Sequence, residues 1–204
     1  MKKVGIIQAR LNSKRLPNKM LMNLGNIKIL DWVIHRVKKS KHLDEIVVAI
    51  PETKENDILE DFLDKKNCKL FRGSENDVLG RFFNVARKYK ADIIIRICAD
   101  NPLIDPIQID DLISKFRFTK YDYAFNHQNK MNSNYADGFG AEIFTISTLD
   151  KLNNIAYSFE HREHVTLYIW ENLPKFKIQL IKAKNELAYP DLKFDIVVLA
   201  ASDF

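Results

Sequence analysis

Only two cysteines occur in the 204 residues, Cys68 and Cys98. Each sits in an apolar, strand-like run (NCKLF and IIIRICAD), where a small buried thiol is the ordinary occupant. Two cysteines build no disulfide framework, and their spacing fits no zinc site. Long apolar runs are missing too, since no segment approaches the ~20 residues that a membrane span needs. The opening MKKVGII is too short in apolar residues for a secretory leader. The chain is therefore read as cytoplasmic. Neither GxGxxG nor GxxxxGKS/T occurs, which argues against a phosphate cradle made of backbone alone. No Ser-His-Asp or Cys-His arrangement is recognisable from spacing.

What is present is ordinary for a globular chain: 46% hydrophobic and 29% charged residues. A chain of this length buries well over half of its unfolded surface, so the expectation is one domain over residues 1–204. The net charge of +5 admits an anionic partner. Lysine is scattered over many segments, however, and no nucleic acid or membrane partner is expected.

Short β-rich runs alternate with longer amphipathic ones. Residues 3–9, 45–50, 68–73 and 92–99 are apolar enough to lie inside a parallel sheet. Helical spacing is found over 29–39, 55–66 and 77–90. Asp105 is placed as the N-cap of a further helix, with Pro106 as its first residue. The pattern βαβαβαβα predicts an α/β fold with a mainly parallel sheet covered by helices. Beyond it, a strand over 140–147, a helix over 158–172 and a strand over 175–183 predict a mixed C-terminal part.

The first strand runs directly into a cationic loop, GIIQARLNSKRLPNKML, in which Arg10, Lys14, Arg15 and Lys19 fall within ten positions. Ligands of open α/β sheets sit at the carboxyl ends of strands, where this loop emerges. Arginine grips phosphate with two parallel hydrogen bonds and lysine supplies a point charge. Ser13 adds a hydroxyl, and Pro17 stiffens the loop. The strand DIIIRICA ends in Asp100, a suitable ligand for Mg²⁺ if the two strands are neighbours. Together these features predict a polyphosphate–Mg²⁺ site. His161 and His164, with Glu160 and Glu163, lie in a charged helical segment and are read as surface or substrate contacts, not metal ligands.

The first loop resembles the opening motif of the nucleotidyltransferases that make CMP-sugars, including CMP-sialic acid and CMP-3-deoxy-manno-octulosonate synthetases. FRGSENDVLGRF (71–82), IIRICADNPLIDP (94–106), YADGFGAEIF (135–144) and EHREHVTLYI (160–169) are similar to the branch called spore-coat polysaccharide cytidylyltransferases. The resemblance implies a Rossmann-like, three-layer nucleotide-diphospho-sugar transferase fold. It implies phosphate contacts from Arg10, Ser13, Arg15 and Lys19, with Gln8 and Ala9 near the base. Arg72, Ser74 and Arg81 would help enclose the nucleotide, and Asp100 would hold Mg²⁺. Asp137, Gly138, Glu142, Arg162, Glu163 and His164 would face the sugar acceptor. Arg10, Lys19 and Asp100 are the implied catalytic set.

The implied activity joins CTP to a sugar acid or sugar phosphate with release of pyrophosphate, for surface polysaccharide. A GTP-using enzyme acting on a sugar 1-phosphate, and a catalytically impaired nucleotide-binding homologue, are the alternatives. A glycosyltransferase generally needs a D-x-D metal motif, and none occurs. The family's second metal-binding aspartate falls on Val197: either Asp195 or Asp203 substitutes, or the site lacks one carboxylate and the chain is shortened at its C-terminus. The likeness also allows a homodimer.

Overall fold

The computed structural model describes residues 1–13 and 16–196. Strand β1 (Lys3–Gln8) carries Val4, Ile6 and Ile7, all without exposure, and so is buried on both faces. A short hairpin follows the cationic loop, β2 (Asn23–Leu24) with β3 (Ile27–Lys28), turned at Gly25 with φ 66°. A positive φ of this kind is open to glycine without steric cost. Helix α1 (Ile29–Val37) buries Ile29, Leu30, Val33, Ile34 and Val37, one stripe at helical spacing.

The chain then alternates: β4 (Glu45–Pro51), α2 (Asp57–Asp64), β5 (Lys69–Gly73), α3 (Val78–Lys88) and β6 (Ile93–Cys98). Helix α4 (Pro106–Lys115) starts as the sequence predicts, with Asp105 Oδ1 accepting from the Ile107 amide at 2.9 Å. Strand β7 (Tyr123–Phe125) and strand β8 (Glu142–Thr145) follow, then α5 (Ile146–Ile155), α6 (Phe159–Glu163), α7 (Leu167–Glu171) and β9 (Ile178–Gln179).

The seven strands of the main sheet lie in the order β5-β4-β1-β6-β8-β7-β9. β8 runs antiparallel to both its neighbours, and the other pairings are parallel. Two apolar layers cover the sheet. On one side Leu30 and Val33 of α1, Leu59 and Leu63 of α2 and Leu112 of α4 pack with Ile7, Ile95 and Ile97. On the other, Val78 and Phe82 of α3, Leu149 and Leu152 of α5 and Ile169 of α7 pack with Val4, Ile6 and Ile94. Each such side chain contributes about 1.5–3 kcal/mol on burial.

The C-terminal part departs from the expectation in three places. The predicted helix over 158–172 is two short helices, α6 and α7, broken between them. His164 is extended there, and the β-branched Val165 and Thr166 are buried. The Thr166 hydroxyl donates to buried Glu142 at 2.7 Å, a contact that a continuous helix does not provide for. The predicted strand over 175–183 shrinks to β9, which pairs only with Tyr123 and Ala124 of the short β7. Helix α5 and strand β7 are additions to the expected elements, although Ile146, Leu149, Leu152 and Ile155 recur at helical spacing along α5 behind the Thr145 cap.

Candidate active site

From β1 the chain moves one way across the sheet, to β4 and then β5, and returns on the other side of β1 as β6. The crevice beyond the carboxyl ends of β1 and β6 is therefore a topological switch point, where ligands of open α/β sheets bind. The parallel register sets Gln8 opposite Cys98, so the cationic loop and Asp100 leave the sheet side by side. A cleft of about 190 Å³ opens there, lined by Gln8, Arg10, Ser13, Lys19, Met20, Arg96, Cys98, Ala99, Asp100, Glu163 and His164. A second cavity of about 480 Å³ shares Arg10, Ser13 and Glu163 with it and extends to Asn12, Glu75, Asn76 and Phe159.

The loop is anchored from below. Fully buried Asn56 accepts the Leu11 amide at 3.1 Å, and the Leu11 carbonyl accepts the Asn18 amide at 3.0 Å. Asn18 takes a left-handed φ of 59°, which turns the chain into the 3-10 turn Lys19–Leu21. Lys19 Nζ reaches Asp100 Oδ2 at 2.9 Å and the Ile196 carbonyl at 3.1 Å. Its side chain keeps 13% of its exposure and that of Asp100 33%, so the pair is part-sheltered. Across the cleft, both terminal nitrogens of Arg10 stand 3.2 Å from Glu163 Oε1.

Beneath this shell lies a buried polar network. Arg96 Nη1 pairs with Glu142, whose other oxygen accepts from the Tyr123 hydroxyl and from Thr166. Burial alone would raise the Glu142 carboxyl, but the Arg96 guanidinium, His127 and the hydrogen bonds from Tyr123 and Thr166 together outweigh it and hold it at about 2. Arg96 Nη2 donates to Gln8 Oε1 at 3.3 Å. Burial pushes the Cys98 thiol up to about 12, so it is protonated near neutral pH and is a poor nucleophile.

The other implied site residues are distributed as follows. Ala9 is buried at the end of β1, its amide bonded to the Ala49 carbonyl. Ser13 lies in the cleft and accepts from the Leu16 amide at 3.3 Å. Arg72 is turned away, paired with Asp57 and Glu60 and donating to the Thr53 carbonyl at 2.9 Å. Ser74 accepts from the Asp77 amide, and its carbonyl accepts from Arg81 Nη1. Arg81 is 1% exposed, and Nε and Nη2 lack a partner among the described residues. Burial, then the charge of Arg10, lowers it to about 10.

Glu142, implied as an acceptor contact, is 2% exposed and stands behind Arg96. Arg162 clamps Asp77 with two contacts of 2.7 Å and lies outside the cleft lining, whereas Glu163 and His164 belong to it. Asp137 and Gly138 receive the segment that carries Ile196. Asp137 exchanges backbone bonds with Leu192 and Phe194, and a Cβ on Gly138 would meet the Asp195 nitrogen at 2.9 Å. Burial, then the charge of Asp195, raises the Asp137 carboxyl. Arg15, Val197 and Asp203 lie outside the described residues.

Arg96 and Cys98 were missed as site residues by the motif reading, although alternation along IIIRIC sets both on the face that carries Gln8. No three His, Cys, Asp or Glu side chains gather as a metal group among the described residues. The donor set nevertheless suits a hard cation: Asp100 Oδ2 and the Ile196 carbonyl converge on the Lys19 ammonium, a cation already held there. Mg²⁺ commonly takes one or two carboxylates and completes its shell with substrate phosphates and water.

A mainly parallel α/β sheet with a cationic, carboxylate-bearing cleft at its switch point is the architecture of a nucleotide-binding α/β protein. The chain belongs to the cytidylyltransferase family, whose model matches residues 4–196. It is 39% identical to an uncharacterised protein of Methanocaldococcus jannaschii, over 96% of this chain and 78% of that one. It is 34% identical to the spore coat polysaccharide biosynthesis protein SpsF of Bacillus subtilis, over 94% and 79%. The structure is similar to that of a cytidylyltransferase from Leptospira borgpetersenii, with a TM-score of 0.88, 34% identity, and coverage of 97% and 82%.

Proposed function

We propose that this protein is a Mg²⁺-dependent cytidylyltransferase that joins CTP to a sugar acid or sugar phosphate in surface polysaccharide synthesis. The observation that carries the reading is the convergence of Arg10, Lys19 and Asp100 on one cleft at the switch point. The neighbouring cavity, which shares Arg10, Ser13 and Glu163, offers room for the rest of a nucleotide. The SpsF relative named for spore coat polysaccharide supports the polysaccharide context.

In the reaction an oxygen of the acceptor bonds to the α-phosphorus while the bond to the pyrophosphate oxygen breaks. Pyrophosphate leaves and the acceptor loses its proton to solvent or to a cleft base. Lys19 and Arg10 bind the triphosphate oxygens and neutralise the departing pyrophosphate. Asp100, with the Ile196 carbonyl, would hold Mg²⁺, which when bound neutralises charge on the phosphoryl oxygens. Glu163 and His164 face the same space and suit contact with the hydroxyls of the acceptor. No covalent protein intermediate is needed, because in-line displacement depends on positioning and charge.

The test is pyrophosphate release by the full chain with CTP, GTP, UTP or ATP, each with and without Mg²⁺, against a panel of sugar acids and sugar phosphates. Release with CTP that requires both Mg²⁺ and an acceptor supports the reading. Release with GTP and a sugar 1-phosphate alone overturns the choice of nucleotide.

A further inference from the structure

Three side chains in a row connect the buried sheet to the floor of the cleft. Glu142 on β8 lies opposite Arg96 on β6, and Arg96 lies opposite Ile6, two residues before Gln8 on β1. Glu142 is engaged on both oxygens, by Tyr123 and Thr166 on one and by Arg96 on the other. Its carboxylate has no role left toward a ligand except through the guanidinium that it holds. The side chain of Arg96 keeps only 16% of its exposure.

The consequence falls on Gln8. A guanidinium donates and never accepts, so the amide atom that faces Arg96 Nη2 at 3.3 Å must be the oxygen of Gln8. The amide nitrogen, with its two N–H donors, is thereby directed to the open side. It makes no hydrogen bond within the described residues, and Gln8 lines the cleft. Without Arg96 the amide would be free to present either end. With it, the Gln8 amide turns only its donors to the cleft, which complements a ligand oxygen and opposes a group that donates.

We propose that Arg96, held by Glu142, is a positioning residue that fixes Gln8 as a hydrogen-bond donor to an oxygen of the bound nucleotide. The inference rests on the reading of the cleft as a nucleoside triphosphate site. It assigns two residues different tasks: Gln8 touches the ligand, and Arg96 acts through Gln8.

The experiment is calorimetric titration of CTP with Mg²⁺ into the full chain, for wild type, Gln8→Met, Arg96→Lys and the double variant. Gln8→Met is expected to weaken binding about tenfold, the loss of one hydrogen bond to a charged acceptor. Arg96→Lys keeps a cation against Glu142 but offers a point charge in place of the fork, so Gln8 loses its anchor. Binding should weaken severalfold, and the double variant should bind no worse than Gln8→Met alone. Such non-additivity is what a relay through Gln8 requires, and a merely structural role for Arg96 does not produce it.

Losses that multiply in the double variant would overturn the relay, and so would wild-type affinity in Gln8→Met. If Arg96→Lys does not fold, the Arg96→Met/Glu142→Met pair removes both buried charges together and carries the same test. A wild-type chain that binds none of CTP, GTP, UTP or ATP would sink the triphosphate reading and this inference with it. Normal wild-type binding with an unaltered Gln8→Met would sink this inference alone.

Discussion

Lys19 Nζ stands 2.9 Å from Asp100 Oδ2, so the carboxylate best placed to hold a cation already holds one. The loop cation and the strand-end anion therefore compensate each other, and the proposed triphosphate and metal would have to separate them. Asp100→Asn or Lys19→Ala is expected to lower pyrophosphate release by about 100-fold or more, since several kcal/mol of charge stabilisation are lost. Stability should fall by about 1 kcal/mol or less, because the pair is part-exposed. Steady-state assays beside thermal melts check this, and activity equal to wild type in either variant would sink the assignment. A second readout needs no turnover. Lys19→Met should bind Mn²⁺ more tightly than wild type in the absence of nucleotide, measured by paramagnetic resonance of the free ion, because the competing ammonium is gone.

The buried network predicts how stability depends on pH. Glu142 is held at about 2 against an ordinary 4.5, so the unfolded chain binds the extra proton between those values. Its contribution is complete above about pH 4.5 and is lost as pH falls toward 2, on the order of 1–3 kcal/mol. His127 acts in a higher window. Burial lowers its imidazole from 6.5 to about 4, so protonation of the unfolded chain removes stability as pH falls from 6.5 to 4. Denaturant titrations at pH 7, 5.5, 4 and 3 should reveal both steps. His127→Gln should flatten the upper one, and Glu142→Gln the lower. Glu142→Gln should also cost about 3–5 kcal/mol at pH 7, because it leaves the Arg96 charge buried without its partner.

The parallel half of the fold is legible because its strands are unbroken β-branched runs and its helices repeat apolar residues at 3.6 spacing. The cap at Asp105–Pro106 is local chemistry, and the structure reproduces it. The rest depends on distant partners. β9 is two residues long and exists only because β7 is there to pair with it. Thr166 leaves the helical path for a carboxylate 24 positions away. In the site, the cationic loop after β1 and Asp100 after β6 are each legible from their place at a strand end, and the pairing of the two strands brings Arg10, Lys19 and Asp100 to one cleft. Motif position alone does not tell which charged side chains are already occupied. Arg72 is spent on Asp57 and Glu60, Arg162 on Asp77, and Glu142 on Arg96. Arg96 itself was visible as a lone cation in an otherwise apolar central strand, a signal that asks for a buried partner.

Asp77 joins two elements that the sequence holds far apart. It caps α3 through the Gly80 amide at 2.8 Å and receives Arg162 of α6 at 2.7 Å on both oxygens. The two roles separate by substitution. Asp77→Asn keeps an acceptor for the cap and gives up the charge pair, whereas Asp77→Ala gives up both. The alanine variant should lose about 1 kcal/mol more than the asparagine variant, the ordinary worth of a cap. Urea unfolding of the two variants measures the difference directly, and equal midpoints would assign the whole effect to Arg162.

Asn56 anchors the loop that carries Arg10 and Lys19, through the backbone and not through either side chain. Its Oδ1 takes the Leu11 amide at 3.1 Å and its Nδ2 donates to Thr53 Oγ1 at 2.8 Å, with no exposure to solvent. Asn56→Ala leaves the Leu11 N–H buried without a partner, which costs about 1–3 kcal/mol. For a chain of this size that lowers the melting temperature by roughly 2–4 °C per kcal/mol. The loop should loosen before the sheet does. Amide exchange at Leu11 and Asn18 is therefore expected to accelerate while that of Ile6 and Ile95 is unchanged, and KM for CTP should rise with kcat less affected. Uniform acceleration across the sheet would mean that Asn56 serves the core and not the loop.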